Sequence, residues 1–230
     1  MTAASGLACA PKFRIGELRA NPRRRAPTLL VFITGVYDTT DDVQSHRVIE
    51  VVRKRVGPTD SVVVYHETPS FMAGEFTAEF HERIANNPRY RKYEHRVLLG
   101  FSSGGTAALT YISRQPSKFH SVVLYAPYLG PHFIIDEINE AGGLRRWKPS
   151  GPIEDQELLW AWLRDYRVGQ REKPSLWLLW GDPDDAAPGL DILRAHLPEE
   201  RIITGYGDHG WEAFDRLWPR FVGSHPGVFR

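Results

Sequence analysis

The residues best suited to chemistry begin with a serine set between small residues. In Gly100-Phe101-Ser102-Ser103-Gly104, Ser102 completes a GxSxG pattern directly after an apolar run and directly before a stretch of helical spacing. In such a strand-to-helix turn, small flanking residues leave room for neighbouring backbone, and the positive end of the helix stabilises developing negative charge. We therefore predict that Ser102 is a nucleophile and that the backbone N–H of Ser103 binds an oxyanion.

An acidic segment follows a later apolar run and could supply a carboxylate partner for a histidine. It reads Gly181-Asp182-Pro183-Asp184-Asp185-Ala186-Ala187-Pro188, so three aspartates compete. An aspartate three positions after the glycine and four before a proline lies at the turn apex, which favours Asp184, whereas Asp182 and Asp185 fit turn and N-cap positions. A solvated acidic loop is the alternative. We predict no metal site, because no partner ligands can be located.

The histidine whose setting fits a general base is His209. It lies in a glycine-rich loop, Gly205-Tyr206-Gly207-Asp208-His209-Gly210, between the last predicted strand and the last predicted helix. Imidazole titrates near neutrality, so it can accept the serine proton and later return it to a leaving group. His66 and His132 also follow predicted strands and are the rival candidates.

A second N–H group for the oxyanion is expected in the loop after the first predicted strand. The segment Thr34-Gly35-Val36-Tyr37-Asp38 occupies that place. We predict Val36 as the donor and keep Tyr37 as the alternative.

The elements that must position these residues alternate regularly along the chain. Short apolar runs predict strands over residues 28–33, 61–65, 96–99, 121–125, 176–180 and 201–203. Helical spacing predicts a first helix over 39–56, which begins with a capping box formed by Asp41 and Gln44. A second predicted helix has Phe76, Phe80 and Ile84 on one face. Further helices are predicted over 103–113, 190–196 and 211–222. Strands that alternate with helices form parallel sheets covered on both faces. The predicted fold is a doubly wound, mostly parallel α/β sandwich of six or seven strands.

The domain organisation follows from length and local composition. With 230 residues, 42% of them hydrophobic, the chain can bury the core of one medium-sized domain. Residues 1–26 are predicted to be irregular, with at most one strand between Lys12 and Arg19, and residues 27–230 form the domain. The stretch at about 127–173 exceeds a plain crossover, so we predict a small helical cap there, with helices over 134–141 and 156–167.

The alternative for this stretch concerns its aromatic residues. Three tryptophans could line a cap or could merely pack the outer face of one ordinary helix; they are Trp147, Trp160 and Trp162.

Charge and cysteine content narrow the partners and the compartment. Lysine plus arginine (29) nearly equals aspartate plus glutamate (28), so we expect no nucleic-acid partner. No apolar run approaches the roughly 20 residues of a membrane-spanning helix, so we expect no membrane partner. The single cysteine, Cys9, cannot form an internal disulfide, which suits the cytoplasm. We expect no cofactor, and the sequence indicates no oligomeric state.

Taken together, three motifs resemble the α/β-hydrolase superfamily. They are the strand–Gly100-Phe101-Ser102-Ser103-Gly104–helix unit, Gly181-x-x-Asp184-x-x-x-Pro188, and Asp208-His209-Gly210-Trp211 before the terminal helix, and the similarity covers about residues 27–222. The chain looks like the small bacterial members of the superfamily that resemble serine esterases. It departs from the pattern at Thr34-Gly35, where many members carry a His-Gly pair, and in lacking the full set of early antiparallel strands.

The resemblance implies an acyl-enzyme on Ser102, formed from a small ester or thioester. Two alternatives use the same chain differently. One is acyl transfer to an acceptor other than water by the same triad, and the other is a non-catalytic protein that binds a small ligand on a hydrolase scaffold.

Overall fold

The computed structural model describes residues 13–65, 74–184 and 189–230 of the chain. Within them the chain forms seven strands: β1 (Arg14–Leu18), β2 (Thr28–Ile33), β3 (Thr59–Tyr65), β4 (His95–Phe101), β5 (Ser121–Tyr125), β6 (Ser175–Asp182) and β7 (Ile202–Tyr206). The α-helices in these residues are α1 (Thr40–Ser45), α2 (Val48–Arg55), α3 (Gly74–Phe80), α4 (Ser103–Arg114), α5 (His132–Glu140), α6 (Asp155–Asp165), α7 (Leu190–His196) and α8 (Trp211–Ser224).

The described strands form a single seven-stranded sheet in the order β1-β3-β2-β4-β5-β6-β7. All neighbouring pairs are parallel except β1 and β3. Every residue of β2 and of β5 is buried, as expected for strands covered on both faces. The predicted doubly wound, mostly parallel α/β sandwich is confirmed. Because β2, β4, β6 and β7 run in the same direction, the loops that follow them emerge at one edge of the sheet.

One strand lies in the segment that the sequence predicts as irregular. β1 pairs antiparallel with β3, from Arg14 opposite Tyr65 to Leu18 opposite Ser61. It is an edge strand whose residues are exposed or only partly buried, so it lacks the continuous apolar run that marks the central strands.

The single helix predicted over residues 39–56 is wrong, because the structure has two helices there, α1 and α2. They are separated at Arg47, whose φ of 53° lies in the left-handed region and cannot continue a helix. The apolar residues Val43, Ile49 and Val52 are buried on both sides of the break. Periodicity therefore continues across the interruption and does not reveal it.

The first helix also begins with a different capping box from the one predicted. Thr39 and Asp42 form it, in place of Asp41 and Gln44. The Asp42 carboxylate accepts the backbone N–H of Thr39 at 2.7 Å, and the Thr39 hydroxyl accepts the N–H of Asp41 at 3.3 Å. A threonine at the N-cap satisfies an N–H group of the first turn that would otherwise lack a partner.

Helices α5 and α6 occupy the stretch that the sequence predicts as a cap. The side chains of Trp147, Trp160 and Trp162 belong to the buried core. The indole N–H of Trp160 donates to the carbonyl of Leu129 at 3.1 Å, which fastens α6 to the segment after β5. These tryptophans therefore stabilise the packing of the insertion, and its role as a cap stays a prediction.

In the part of the chain that the structure describes, no helix is both long enough and apolar enough to cross a membrane.

Candidate active site

The turn between β4 and α4 holds Ser102 in a conformation that presents its hydroxyl. Ser102 has φ 53° and ψ −118°, a combination that residues other than glycine seldom adopt. Two backbone hydrogen bonds fix the turn. The N–H of Ser102 donates to the carbonyl of Tyr125 at 2.9 Å, and the N–H of Tyr128 donates to the carbonyl of Ser102 at 3.0 Å. Strain of this kind persists only where surrounding contacts hold it, as they do here.

The glycines that flank the turn are required by close backbone contacts. A Cβ atom on Gly100 would lie 2.6 Å from the carbonyl oxygen of Gly104, and one on Gly104 would lie 2.2 Å from the carbonyl oxygen of Ile33. Neither distance is compatible with a side chain. The first turn of α4 thus packs directly on the backbone at the end of β2.

The three side chains predicted from separate loops form one hydrogen-bonded row. His209 Nε2 lies 2.9 Å from Ser102 Oγ, and His209 Nδ1 lies 3.0 Å from Asp184 Oδ2. An ionised carboxylate can only accept, so Nδ1 carries the proton and donates to Asp184. Nε2 of the neutral ring is then the acceptor for the Ser102 hydroxyl. This is the tautomer that a general base beside a serine requires.

Burial separates Asp184 from its competitors. The Asp184 side chain is only 1% exposed, whereas that of His209 is 28% exposed. Asp182 is exposed at the end of β6, and Asp185 lies outside the described residues. The burial of Asp184 shields its contact with the imidazole from water.

Of the two rival histidines, only His132 lies in the described residues, and it does not enter this row. His132 is exposed at the start of α5, and His66 lies outside the described residues. The described residues also hold no group of three or more His, Cys, Asp or Glu side chains arranged to bind a metal ion.

A tyrosine at the end of β5 holds the loop of His209. The Tyr125 hydroxyl donates to the carbonyl of Gly210 at 3.0 Å, and the N–H of Gly210 donates to Asp208 Oδ1 at 2.9 Å. Burial, followed by the negative charges of Asp184 and Asp208, raises the pKa of Tyr125 above its usual value. The phenol therefore stays protonated and keeps donating to the loop.

The predicted oxyanion donors lie in two segments next to the serine. Ser103 is the first residue of α4, where backbone N–H groups have no partner within the helix. A Cβ atom on Gly35 would lie 3.7 Å from Cβ of Ser102, which places the loop after β2 beside that serine. Val36 in that loop is partly buried, and Tyr37 is exposed with φ 71°.

A carboxylate in the same loop has a partner that the sequence did not indicate. Asp38 Oδ1 accepts the indole N–H of Trp211 at 2.9 Å. Burial raises the pKa of Asp38, and the charge of Asp42 adds to this rise. The hydrogen bond from Trp211, the backbone N–H of Gly35 and the charge of His46 oppose it. Asp38 follows the first predicted strand and Trp211 follows the histidine motif, but no local pattern pairs them.

Several solved structures share the fold of this protein over most of its chain. One is the substrate-bound fluorophosphonate-binding serine hydrolase F of Staphylococcus aureus, with a TM-score of 0.58 at 14% identity over 94% of this chain and 99% of that chain. The S-formylglutathione hydrolase of the same organism has a TM-score of 0.58 at 15% identity, over 86% and 81% of the two chains. Est1E from Butyrivibrio proteoclasticus has a TM-score of 0.57 at 13% identity, over 92% of each.

The sequence matches a family model but no curated protein. The model of the Esterase family, described as "Putative esterase", matches residues 75–217, a span that includes Ser102, Asp184 and His209. The predicted resemblance to the α/β-hydrolase superfamily is confirmed. Because the match covers more than half of the chain, this protein belongs to the Esterase family, a family of hydrolytic enzymes with the α/β-hydrolase fold.

Proposed function

We propose that this protein hydrolyses small carboxylic esters or thioesters through an acyl-enzyme on Ser102. The observation that carries the proposal is the row of hydrogen bonds from Ser102 Oγ to His209 Nε2 at 2.9 Å and from His209 Nδ1 to Asp184 at 3.0 Å. This arrangement supplies a nucleophile, a base in the correct tautomer and an acid that stabilises the imidazolium.

In the acylation step, a bond forms between Ser102 Oγ and the carbonyl carbon of the substrate while the hydroxyl proton moves to His209 Nε2. The carbonyl oxygen takes up the negative charge, which the N–H groups of Ser103 and Val36 bind. When the tetrahedral species collapses, the bond to the alcohol or thiol breaks. That leaving group takes the proton from His209, and Asp184 holds the imidazolium in place throughout.

Deacylation repeats these transfers with water as the nucleophile. His209 Nε2 takes a proton from the water as its oxygen bonds to the acyl carbon. The second collapse breaks the bond to Ser102 Oγ and returns the proton to it, which releases the carboxylic acid and restores the starting state.

The choice of esters and thioesters is supported by the family and by fold relatives. The family is described by its esterase activity, and one relative of the same fold is an S-formylglutathione hydrolase. That relative shares 15% identity with this chain, so it supports only the chemical class of the substrate.

The proposal also covers the domain organisation of the chain and its cellular compartment. We take residues 27–230 as one hydrolase domain, with a cap at about 127–173 formed by α5 and α6 and with residues 1–26 before the domain. The cytoplasm is proposed because the one cysteine, Cys9, gives the chain no internal disulfide.

The first prediction tests the nucleophile with a fluorophosphonate probe. Its phosphorus bonds to an activated serine oxygen with loss of fluoride, so the folded wild-type protein should be labelled and should hydrolyse p-nitrophenyl acetate. Ser102→Ala should lose labelling and should lose activity by about 10³-fold or more. Both are measured by gel fluorescence or intact mass and by release of p-nitrophenol.

The matched control is the neighbouring Ser103→Ala. The Ser103 hydroxyl is buried, has no hydrogen-bond partner among the described residues, and is not needed for a backbone N–H donor. This variant should keep labelling and most activity. Absent labelling of folded wild type would favour a ligand-binding scaffold, and a product that shifts entirely to an added alcohol would favour acyl transfer.

A further inference from the structure

A single carboxylate joins two segments near Ser102, the loop after β2 and the start of α8. The loop after β2 carries Gly35, Val36 and Asp38, and the loop before α8 carries His209, two residues ahead of Trp211. Asp38 Oδ1 accepts the indole N–H of Trp211 at 2.9 Å across 173 positions of sequence. The loop proposed to bind the oxyanion is thus connected to the loop of the general base.

The other oxygen of the same carboxylate lies against the oxyanion loop itself. A Cβ atom on Gly35 would lie 2.7 Å from Asp38 Oδ2 and 3.7 Å from Cβ of Ser102. Gly35 is therefore enclosed between the carboxylate and the nucleophile. The N–H group of Gly35 lowers the pKa of Asp38, as a backbone donor directed at the ionised carboxyl does.

The side chain of Thr34 makes a third set of contacts within this loop. The buried hydroxyl of Thr34 lies 3.0 Å from the carbonyl oxygen of Gly35 and 3.1 Å from that of Asp38, so its one proton is shared between them. Thr34 stands where many members of the superfamily carry histidine. Here its hydroxyl links the backbone at the start of the loop to the backbone of Asp38.

Trp211 itself packs against other rings, which makes it a suitable anchor. Its ring lies edge-on to Phe101, with centroids 4.9 Å apart, and is stacked on His46 at 4.4 Å with an interplanar angle of 7°. Phe101 immediately precedes Ser102, so the anchor also rests on the nucleophile turn.

We propose that Asp38 is a positioning residue, which sets the oxyanion loop relative to Ser102 and His209 by accepting from Trp211 with one oxygen and facing Gly35 with the other. This inference rests on the proposed function. The oxyanion forms only after attack on the carbonyl, so contacts that place its donors act on the transition state and not on the bound substrate. Loss of the carboxylate should therefore lower kcat and leave KM nearly unchanged.

The experiment compares Asp38→Ala, Asp38→Asn and Trp211→Phe with wild type, using p-nitrophenyl acetate and the fluorophosphonate probe. Asp38→Ala removes both acceptors and should lower kcat and the labelling rate by about 10- to 100-fold, with KM within about twofold. Asp38→Asn keeps one acceptor oxygen for Trp211 and should fall between wild type and Asp38→Ala. Trp211→Phe keeps the ring contacts and loses the donor.

Coupling between the two residues separates positioning from general packing. If Trp211 acts through Asp38, adding Trp211→Phe to Asp38→Ala should cause no further loss of kcat. Asp41→Ala is the matched control, since Asp41 is an exposed aspartate three positions away in α1, and it should retain wild-type kinetics. Thermal unfolding of each variant is measured alongside, and Asp38→Asn and Trp211→Phe serve if Asp38→Ala does not fold.

Outcomes of three kinds would overturn the inference. One is a kcat within twofold of wild type in the Asp38 variants. The others are a change in KM alone, or a loss of stability with normal kcat for the folded protein. In each of these cases Ser102-dependent labelling of the wild type leaves the proposed function standing. A wild type without such labelling overturns the proposed function and, with it, this inference.

Discussion

Of two neighbouring aspartates, the buried one contacts His209. Asp184 and Asp182 are two residues apart, yet the Asp184 side chain is almost fully buried against the imidazole and Asp182 is exposed. A carboxylate shielded from water interacts more strongly with a developing imidazolium than an exposed one does. Position in the turn favours Asp184 as the acid, and its contact with His209 Nδ1 at 3.0 Å is a physical reason to test that prediction.

The second prediction replaces each of these aspartates by asparagine. Asp184→Asn puts an amide beside His209 Nδ1, which favours the tautomer with its proton on Nε2, so the ring can no longer accept from Ser102. We expect kcat to fall by about 10³- to 10⁴-fold, as for loss of the orienting acid in other triads. Asp182→Asn should stay within about twofold of wild type, because its side chain is exposed.

Steady-state kinetics on p-nitrophenyl acetate measure both variants, with thermal unfolding as a check on folding. Similar losses in the two variants, or a larger loss in Asp182→Asn, would reassign the acid.

Residues of the site differ in how far the sequence could reveal them. Ser102, Asp184 and His209 each stand in a local pattern of glycines and prolines after a strand, so each could be proposed separately. Asp38 and Trp211 have no such pattern, because the role of each comes from a hydrogen bond to a partner 173 positions away. Only a fold that brings the two loops together creates their contact.

At the scale of elements, burial determined which strands the sequence could predict. Strands covered on both faces produce continuous apolar runs, and all six predicted strands are present in the sheet. The edge strand β1 has no such run. The break at Arg47 was missed for a related reason, since the apolar residues on either side of it face the same core.

The third prediction concerns the contact between α4 and β2. Gly104→Ala would place a methyl group 2.2 Å from the Ile33 carbonyl oxygen and 2.4 Å from that of Thr34. The backbone cannot move away from the new methyl group as a flexible side chain could. The variant should therefore be destabilised by about 2 kcal/mol or more, or should fail to fold. Urea unfolding followed by far-UV circular dichroism measures the change.

Gly223→Ala is the matched control, since Gly223 lies in α8 and its added methyl would meet only the end of the Arg55 side chain at 3.4 Å. Alanine favours helices over glycine by about 1 kcal/mol, so this variant should be neutral or more stable. Equal destabilisation of both variants would contradict the close packing at the nucleophile turn.

At the scale of the whole molecule, the C-terminal segment is fastened to the amino ends of the central strands. The Thr28 hydroxyl donates to the carbonyl of Phe229 at 2.8 Å, and His95 Nε2 donates to the carbonyl of Val228 at 2.8 Å. These contacts lie at the opposite edge of the sheet from Ser102. The alternation of elements predicted the parallel sheet, but neither the strand order nor this return of the chain could be deduced from local spacing.

Two stacked histidines at this opposite edge connect stability to pH. The rings of His95 and His120 lie 4.5 Å apart, and His120 Nδ1 accepts the backbone N–H of Arg96 at 3.1 Å. Burial lowers the pKa of His95, with the bond to Val228 opposing this. Burial and then the charges of His95 and Arg96 lower the pKa of His120. Both rings therefore bind a proton less readily in the folded protein than a free imidazole does.

The fourth prediction follows from the sign of these shifts. A histidine whose pKa is lower when folded binds protons more readily when unfolded, so its contribution to stability is complete above the unfolded pKa of about 6.5 and is lost as pH falls through the folded pKa. The Tm should decline as pH falls from about 7.5 to about 5.

In the double variant His95→Gln with His120→Asn, which keeps a donor toward Val228 and an acceptor for Arg96, this decline in Tm should be smaller. His132→Gln, which alters an exposed histidine, should decline as the wild type does. A decline of equal size in all three proteins would show that the stacked pair does not carry this pH dependence.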